Sequence, residues 1–224
     1  MSSHDISTPA SAIRHYPCLR ACPKLDPMDT RTPYSAATST SVRTGSIAWL
    51  KRRWPAALAL VASAIIGSGS ESPGGVAGLA HVLSLLPLIY LAMAKLGKRQ
   101  ATWPGLAIGV ATVFGLRILD VIPPAAAFTG IALVILVWAG VDGQLRRDGT
   151  FRLQALGMLF FGALALAGLL LDPEMGRYLV AAGWFLHGVW DFVHLKQDKV
   201  VARTFAEWCG VLDVMIAAQL VFQP

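Results

Sequence analysis

The sequence predicts an all-α fold, a polytopic integral membrane bundle of seven transmembrane helices, and three observations predict it. Only 14% of the 224 residues are charged while 55% are hydrophobic; a soluble domain carries about 25% charged residues. Apolar runs of about 20 residues recur along the chain, the length that crosses a hydrocarbon core of roughly 30 Å. Lys and Arg alternate between successive connections, present in one and scarce in the next.

The spans are centred on residues 55–67, 76–96, 103–121, 125–141, 153–171, 178–195 and 205–222. The first is short and flanked by Gly and Ser, so six is the fallback count. Lys51, Arg52 and Arg53 precede it, and the following tract, GSGSESPGG, holds Glu71 and no base. This tract lacks the Lys-Ser/Thr ending of a nucleotide loop. Lys95, Lys98 and Arg99 follow the second span, and none follows the third. Arg146, Arg147 and Arg152 flank the next connection, Arg177 alone serves the sixth helix's start, and Lys196, Lys199 and Arg203 close the series. By the positive-inside rule this is N-terminus in and C-terminus out, in a cell membrane. Trp49, Trp54 and Trp103 fall where spans meet the interface.

The net charge of +6 then belongs to loops that face anionic lipid. The lipid bilayer is the expected partner. Nucleic acid is not, because no basic patch interleaved with aromatics occurs in a soluble segment. Oligomeric state leaves no mark in the pattern.

Residues 1–45 are rich in Ser, Thr and Pro with no apolar period, so they are expected to form a disordered cytoplasmic tail ahead of a bundle over 46–224. Cys18 and Cys22 do not have the Cys-x-x-Cys spacing and read as incidental thiols. Met28 is an alternative start.

Chemistry concentrates in GWFLHGVWDFVH, residues 183–194. His187, Asp191 and His194 lie at i, i+4 and i+7, within roughly 60° on a 3.6-residue helix. Ionisable groups at membrane depth need partners inside the protein. The next helix offers Asp213 at the depth of His187, and Glu207 at the depth of Asp191 and His194. Imidazole with carboxylate suits first-row divalent ions, so His187, Asp191, His194 and Asp213 are candidate metal ligands. They do not all reach one ion, because His187 and His194 are about 10 Å apart along the axis. His187, Asp191 and Asp213 are also the candidate catalytic groups, for metal-assisted or acid–base chemistry on a lipid-like or other apolar substrate. Two other readings stand beside this one: a proton-coupled carrier or small transporter, and an accessory subunit in which the cluster is a polar lock between helices. Gly183, Gly188 and Gly210 favour close helix approach, and Cys209 falls one turn before Asp213. His81 reads as a structural histidine, and Arg117 with Asp120 as a local ion pair.

The run His187-x-x-Trp190-Asp191-x-x-His194, followed by Cys209-x-x-x-Asp213, resembles the C-terminal signature of a family of small, uncharacterised bacterial multi-pass membrane proteins. The resemblance covers about the last 45 residues. Members of that family often carry a second His after the last one, where this chain has Leu195. It implies that the cluster acts as a unit and brings no activity with it. The paired His-x-x-x-His helix of intramembrane zinc hydrolases is absent.

Overall fold

The computed structural model describes residues 53–67, 69 and 72–222, and all regular structure among them is helical. The expected tail with Cys18, Cys22 and Met28 lies outside the described residues, as do Trp49, Lys51, Arg52 and Glu71. The long helices are α1 (Trp54–Gly67), α2 (Pro73–Leu96), α3 (Thr102–Leu119), α4 (Pro124–Val141), α5 (Gly149–Leu170), α6 (Pro173–Gln197) and α7 (Arg203–Phe222). A 3₁₀ turn, Arg99–Ala101, precedes α3, and a single helical turn, Gln144–Arg147, precedes α5.

Five helical segments among the described residues are long and apolar enough to cross a membrane: Gly74–Leu96, Arg99–Leu119, Pro124–Val141, Gly149–Leu170 and Arg203–Phe222. The two other expected spans differ for separate reasons. Helix α1 has 14 residues, about 21 Å of rise. Helix α6 has 25 residues but carries Glu174, Arg177, Asp191 and Lys196. The outward faces are those of a membrane protein. Ile118 is 81% exposed and Val134 68%, and such side chains lose nothing when the surrounding medium is hydrocarbon.

Local chemistry sets the helix ends. Ser72 caps α2, its side chain accepting from Gly75 N at 3.0 Å ahead of Pro73 in the first turn. Asp148 caps α5 through Thr150 N and Phe151 N, and Asp172 caps α6 through Met175 N. Gly97 ends α2 at φ 64°, and Asp198 ends α6 at φ 50°.

Helix α2 is the hub, packed against α3, α4, α5 and α6. Helices α6 and α7 form the most closely packed pair, and α1 lies on α7. Glycine permits two of these approaches. A Cβ on Gly176 would lie 2.5 Å from the Gly168 carbonyl oxygen, so α5 and α6 touch backbone to backbone. A Cβ on Gly188 would lie 3.2 Å from both Asp213 Cβ and Gly210 O, where α6 meets α7. Gly183, by contrast, faces Leu83 of α2 and Leu164 of α5. Gly176→Ala is expected to lower stability by about 1–3 kcal/mol, because the opposing atom is backbone. Thermal unfolding in detergent measures it.

One end of the bundle gathers the basic connections. Arg53 pairs with Glu207 at 2.9 Å, Arg99 pairs with Asp198 and donates to Val201 O, and Lys95 pairs with Asp142. The Lys95 ammonium also lies 4.2 Å from the Trp138 ring centroid. Its hydrogen bond holds the Asp142 carboxyl below the usual carboxylate range. This link is therefore complete at neutral pH and is lost only as pH falls through that lowered value. Glu207 faces α1 in this arrangement, so it does not join Asp191 and His194 as the depth argument anticipates. Trp54 and Trp103 stack on each other at 6.1 Å, and Trp103 donates to Thr204, so both are tied to the bundle here.

Candidate functional site

Three helices meet at the cluster. His187 and Asp191 project from adjacent turns of α6, Asp213 projects from α7, and all three side chains are completely buried. The Gly188–Gly210 approach brings the two helices near enough for contact: His187 Nδ1 is 2.7 Å from Asp213 Oδ2. The same nitrogen is 3.3 Å from Asp191 Oδ2. From α2, the Tyr90 hydroxyl donates to Asp191 Oδ1. Pro87 stands one turn before Tyr90, where it removes one backbone donor from the middle of the hub helix.

The hydrogen bonds do not satisfy the group. Among the described residues, His187 Nε2 and Asp213 Oδ1 are buried with no hydrogen-bond partner, and Asp191 Oδ2 has only its 3.3 Å contact with His187 Nδ1. An unpaired buried polar atom costs about 1–3 kcal/mol, so the two on His187 and Asp213 weigh against the hydrogen bonds that hold the group together. His187, Asp191 and Asp213 each offer one ligand atom, and these atoms lie within 4.8 Å of one another. A tetrahedral ion with bonds of about 2.0–2.1 Å spaces its ligands about 3.3 Å apart. The His187–Asp191 spacing already has that value. The His187–Asp213 spacing is that of a hydrogen bond and would open by about half an ångström.

His194 belongs to a different unit. Its Nδ1–H donates to the Trp190 carbonyl oxygen at 2.9 Å, which leaves Nε2 as the acceptor. That nitrogen takes the Gln154 amide from α5 at 2.9 Å. Both imidazole nitrogens are thus engaged, and the ring packs against Trp190 and Tyr90 at 4.9 and 4.8 Å. Gln154→Leu is expected to cost about 1 kcal/mol by stranding Nε2. Metal content is expected to stay unchanged, and thermal unfolding with elemental analysis measures both.

The four residues singled out in the sequence therefore divide. His187, Asp191 and Asp213 come together, and His194 stands beside them with its own partners. Cys209 is fully buried one turn before Asp213 and forms no disulfide among the described residues. Trp190 packs at 5.8 Å on Phe161, which in turn packs at 4.9 Å on His187. Tyr90 and Gln154 were not singled out by sequence reasoning. Their one signal is a polar atom inside an otherwise apolar stretch, PLIYLAM for Tyr90 and LQALGMLFF for Gln154. Comparisons with protein families, with curated proteins and with solved structures give no match.

Proposed function

We propose that this is an intramembrane metal-binding protein whose His187, Asp191 and Asp213 side chains hold one divalent ion of the first transition row. The observation that carries the reading is convergence: one imidazole and two carboxylates, all completely buried, each offer one ligand atom within 4.8 Å of the others. A cation between the three would replace the proton on His187 Nδ1 and take that nitrogen with one oxygen of each carboxylate, and imidazole with two carboxylates matches the ligand preferences of such ions. When bound, the ion supplies a Lewis acid for a lipid-like or other apolar substrate. Asp191 is held in place by Tyr90, and His187 is clasped between the two carboxylates, so the ligand positions are set by three helices.

The bundle is proposed to cross a bacterial cell membrane seven times, with the N-terminus in the cytoplasm and the C-terminus outside. Support comes from the ion pairs that place Arg53, Lys95 and Arg99 at one end of the helices. The C-terminal resemblance to uncharacterised bacterial multi-pass proteins agrees with this reading.

A second reading has its own observation. The 2.7 Å spacing between His187 Nδ1 and Asp213 Oδ2 is a hydrogen-bond distance, so the group also suits a proton held between helices as a relay or a polar lock. Thermal unfolding separates the two. Added Zn²⁺, Mn²⁺ or Co²⁺ is expected to raise the midpoint of the wild type after chelation, by about 2.7 kcal/mol of stabilisation at a hundredfold excess over Kd. Asp191→Ala is expected to abolish that response. A wild type indifferent to every ion is inconsistent with the metal. Proton uptake into proteoliposomes that survives Asp213→Asn would remove the relay.

A further inference from the structure

We propose that the end of the bundle opposite the basic connections binds a phospholipid whose headgroup carries a phosphate and a primary ammonium. The phosphate sits on Arg117 and His81, the ammonium on Asp120, and one acyl chain lies in an apolar groove between α2 and α3.

Two cavities share Arg117. The inner one, about 320 Å³, is walled by Leu79, Val82 and Leu86 of α2 and by Leu106, Val110 and Val113 of α3. From Leu106 to Arg117 it follows α3 for about 16 Å at 1.5 Å per residue, an elongated shape suited to a hydrocarbon chain. Its rim includes Phe114 at 63% exposure and Ile66 at 42%, so it opens sideways on the lipid-facing surface. The outer cavity, about 390 Å³, is lined by His81, Arg117, Asp120 and the connection into α4. An apolar trough leading out to a polar mouth has the division of an amphiphile.

Among the described residues, the charged groups at the mouth are uncommitted. Among the described residues neither Arg117 nor Asp120 forms an ion pair, although they are three residues apart on one helix end. The anticipated local pair is therefore absent, and Asp120 instead ends α3 in the left-handed conformation at φ 49°. The guanidinium lies against the bare backbone of Gly78, where a Cβ would stand 2.8 Å from Nη1. His81 Nδ1 is buried without a partner. One unpaired cation beside one unpaired carboxylate is complementary to a zwitterionic head, and a primary ammonium can donate to Asp120 where a quaternary one cannot. A singly anionic head would leave Asp120 opposed to it. The bilayer is the source, since the groove faces it laterally.

Native mass spectrometry of the protein released from nanodiscs tests this. The discs hold equal amounts of phosphatidylethanolamine, phosphatidylcholine and phosphatidylglycerol, with free oleic acid in a parallel sample. Phosphatidylethanolamine is expected to be retained about five-fold over the other two, the scale of one charge contact at a membrane surface. Arg117→Gln, which removes a partner of the phosphate common to all three heads, is expected to lower retention of all three, and Asp120→Asn to remove the enrichment and shift selectivity toward phosphatidylglycerol, a change that a merely structural Asp120 would not produce. Val110→Trp, which fills the groove and leaves the mouth intact, is expected to lower retention of every lipid. Circular dichroism confirms that each variant is folded. No enrichment in the wild type, unchanged retention in Arg117→Gln, unchanged selectivity in Asp120→Asn, or oleic acid retained in place of phospholipid would overturn the proposal.

Discussion

Asp213→Ala is expected to cost about 3–5 kcal/mol of stability and to abolish metal binding. The stability loss follows from burial. Asp213 is completely enclosed and accepts from His187 Nδ1 at 2.7 Å, so its removal strands a buried imidazole N–H and breaks a buried pair. Asp213→Asn separates the two effects. The amide retains an acceptor oxygen for His187 and nearly the same volume, so much of the stability is expected to return. The ligand charge is gone, and metal binding is expected to remain lost. Thermal unfolding in detergent, with and without added ion, measures both variants. Equal stability losses for Ala and Asn would show that the carboxylate's charge, not its hydrogen bond, holds the helices.

Gly188→Leu is the second large effect, expected at about 3 kcal/mol or more. Even a Cβ at this position meets Val214 Cγ2 at 3.0 Å and Asp213 Cβ and Gly210 O at 3.2 Å. A branched side chain must push α6 from α7, and the His187–Asp213 contact spans that seam. Metal affinity is therefore expected to fall with stability, although residue 188 is no ligand. Ala at the same position is expected to act in the same direction and more weakly, because its contacts are within a few tenths of an ångström of tolerable. Retained metal affinity in a folded Gly188→Leu protein would argue that the seam does not position the ligands.

The membrane character of the fold was legible because burial in lipid imposes a coarse demand, about 20 apolar residues per crossing, which the sequence meets repeatedly. Helix α6 obscures the rule. Its Asp191 and Lys196 lower its apolarity, and the alternation of basic loops points to it where apolarity does not. Within the site, His187, Asp191 and Asp213 were legible through helical period and depth on two sequence-adjacent helices. The separation of His194 from them was anticipated only as a distance along the axis. What engages it, Gln154, comes from α5, and what steadies Asp191, Tyr90, comes from α2. Such partners depend on which helices pack together, and periodicity within one helix carries no information on that. Glu207 shows the same limit: depth alone could not distinguish a neighbour on α6 from Arg53, just ahead of α1. The Arg117–Asp120 pair was misread from spacing because α3 ends in a left-handed turn at Asp120, and i, i+3 geometry holds only within a continuing helix.

The most direct measurement is elemental analysis of the protein purified without chelator, wild type beside Asp191→Ala and Gln154→Leu. A stoichiometric first-row divalent ion in the wild type and in Gln154→Leu, lost in Asp191→Ala, is the predicted result. A wild type that carries no such ion even after incubation with Zn²⁺, Mn²⁺ or Co²⁺, or an ion retained in full by Asp191→Ala, would contradict it.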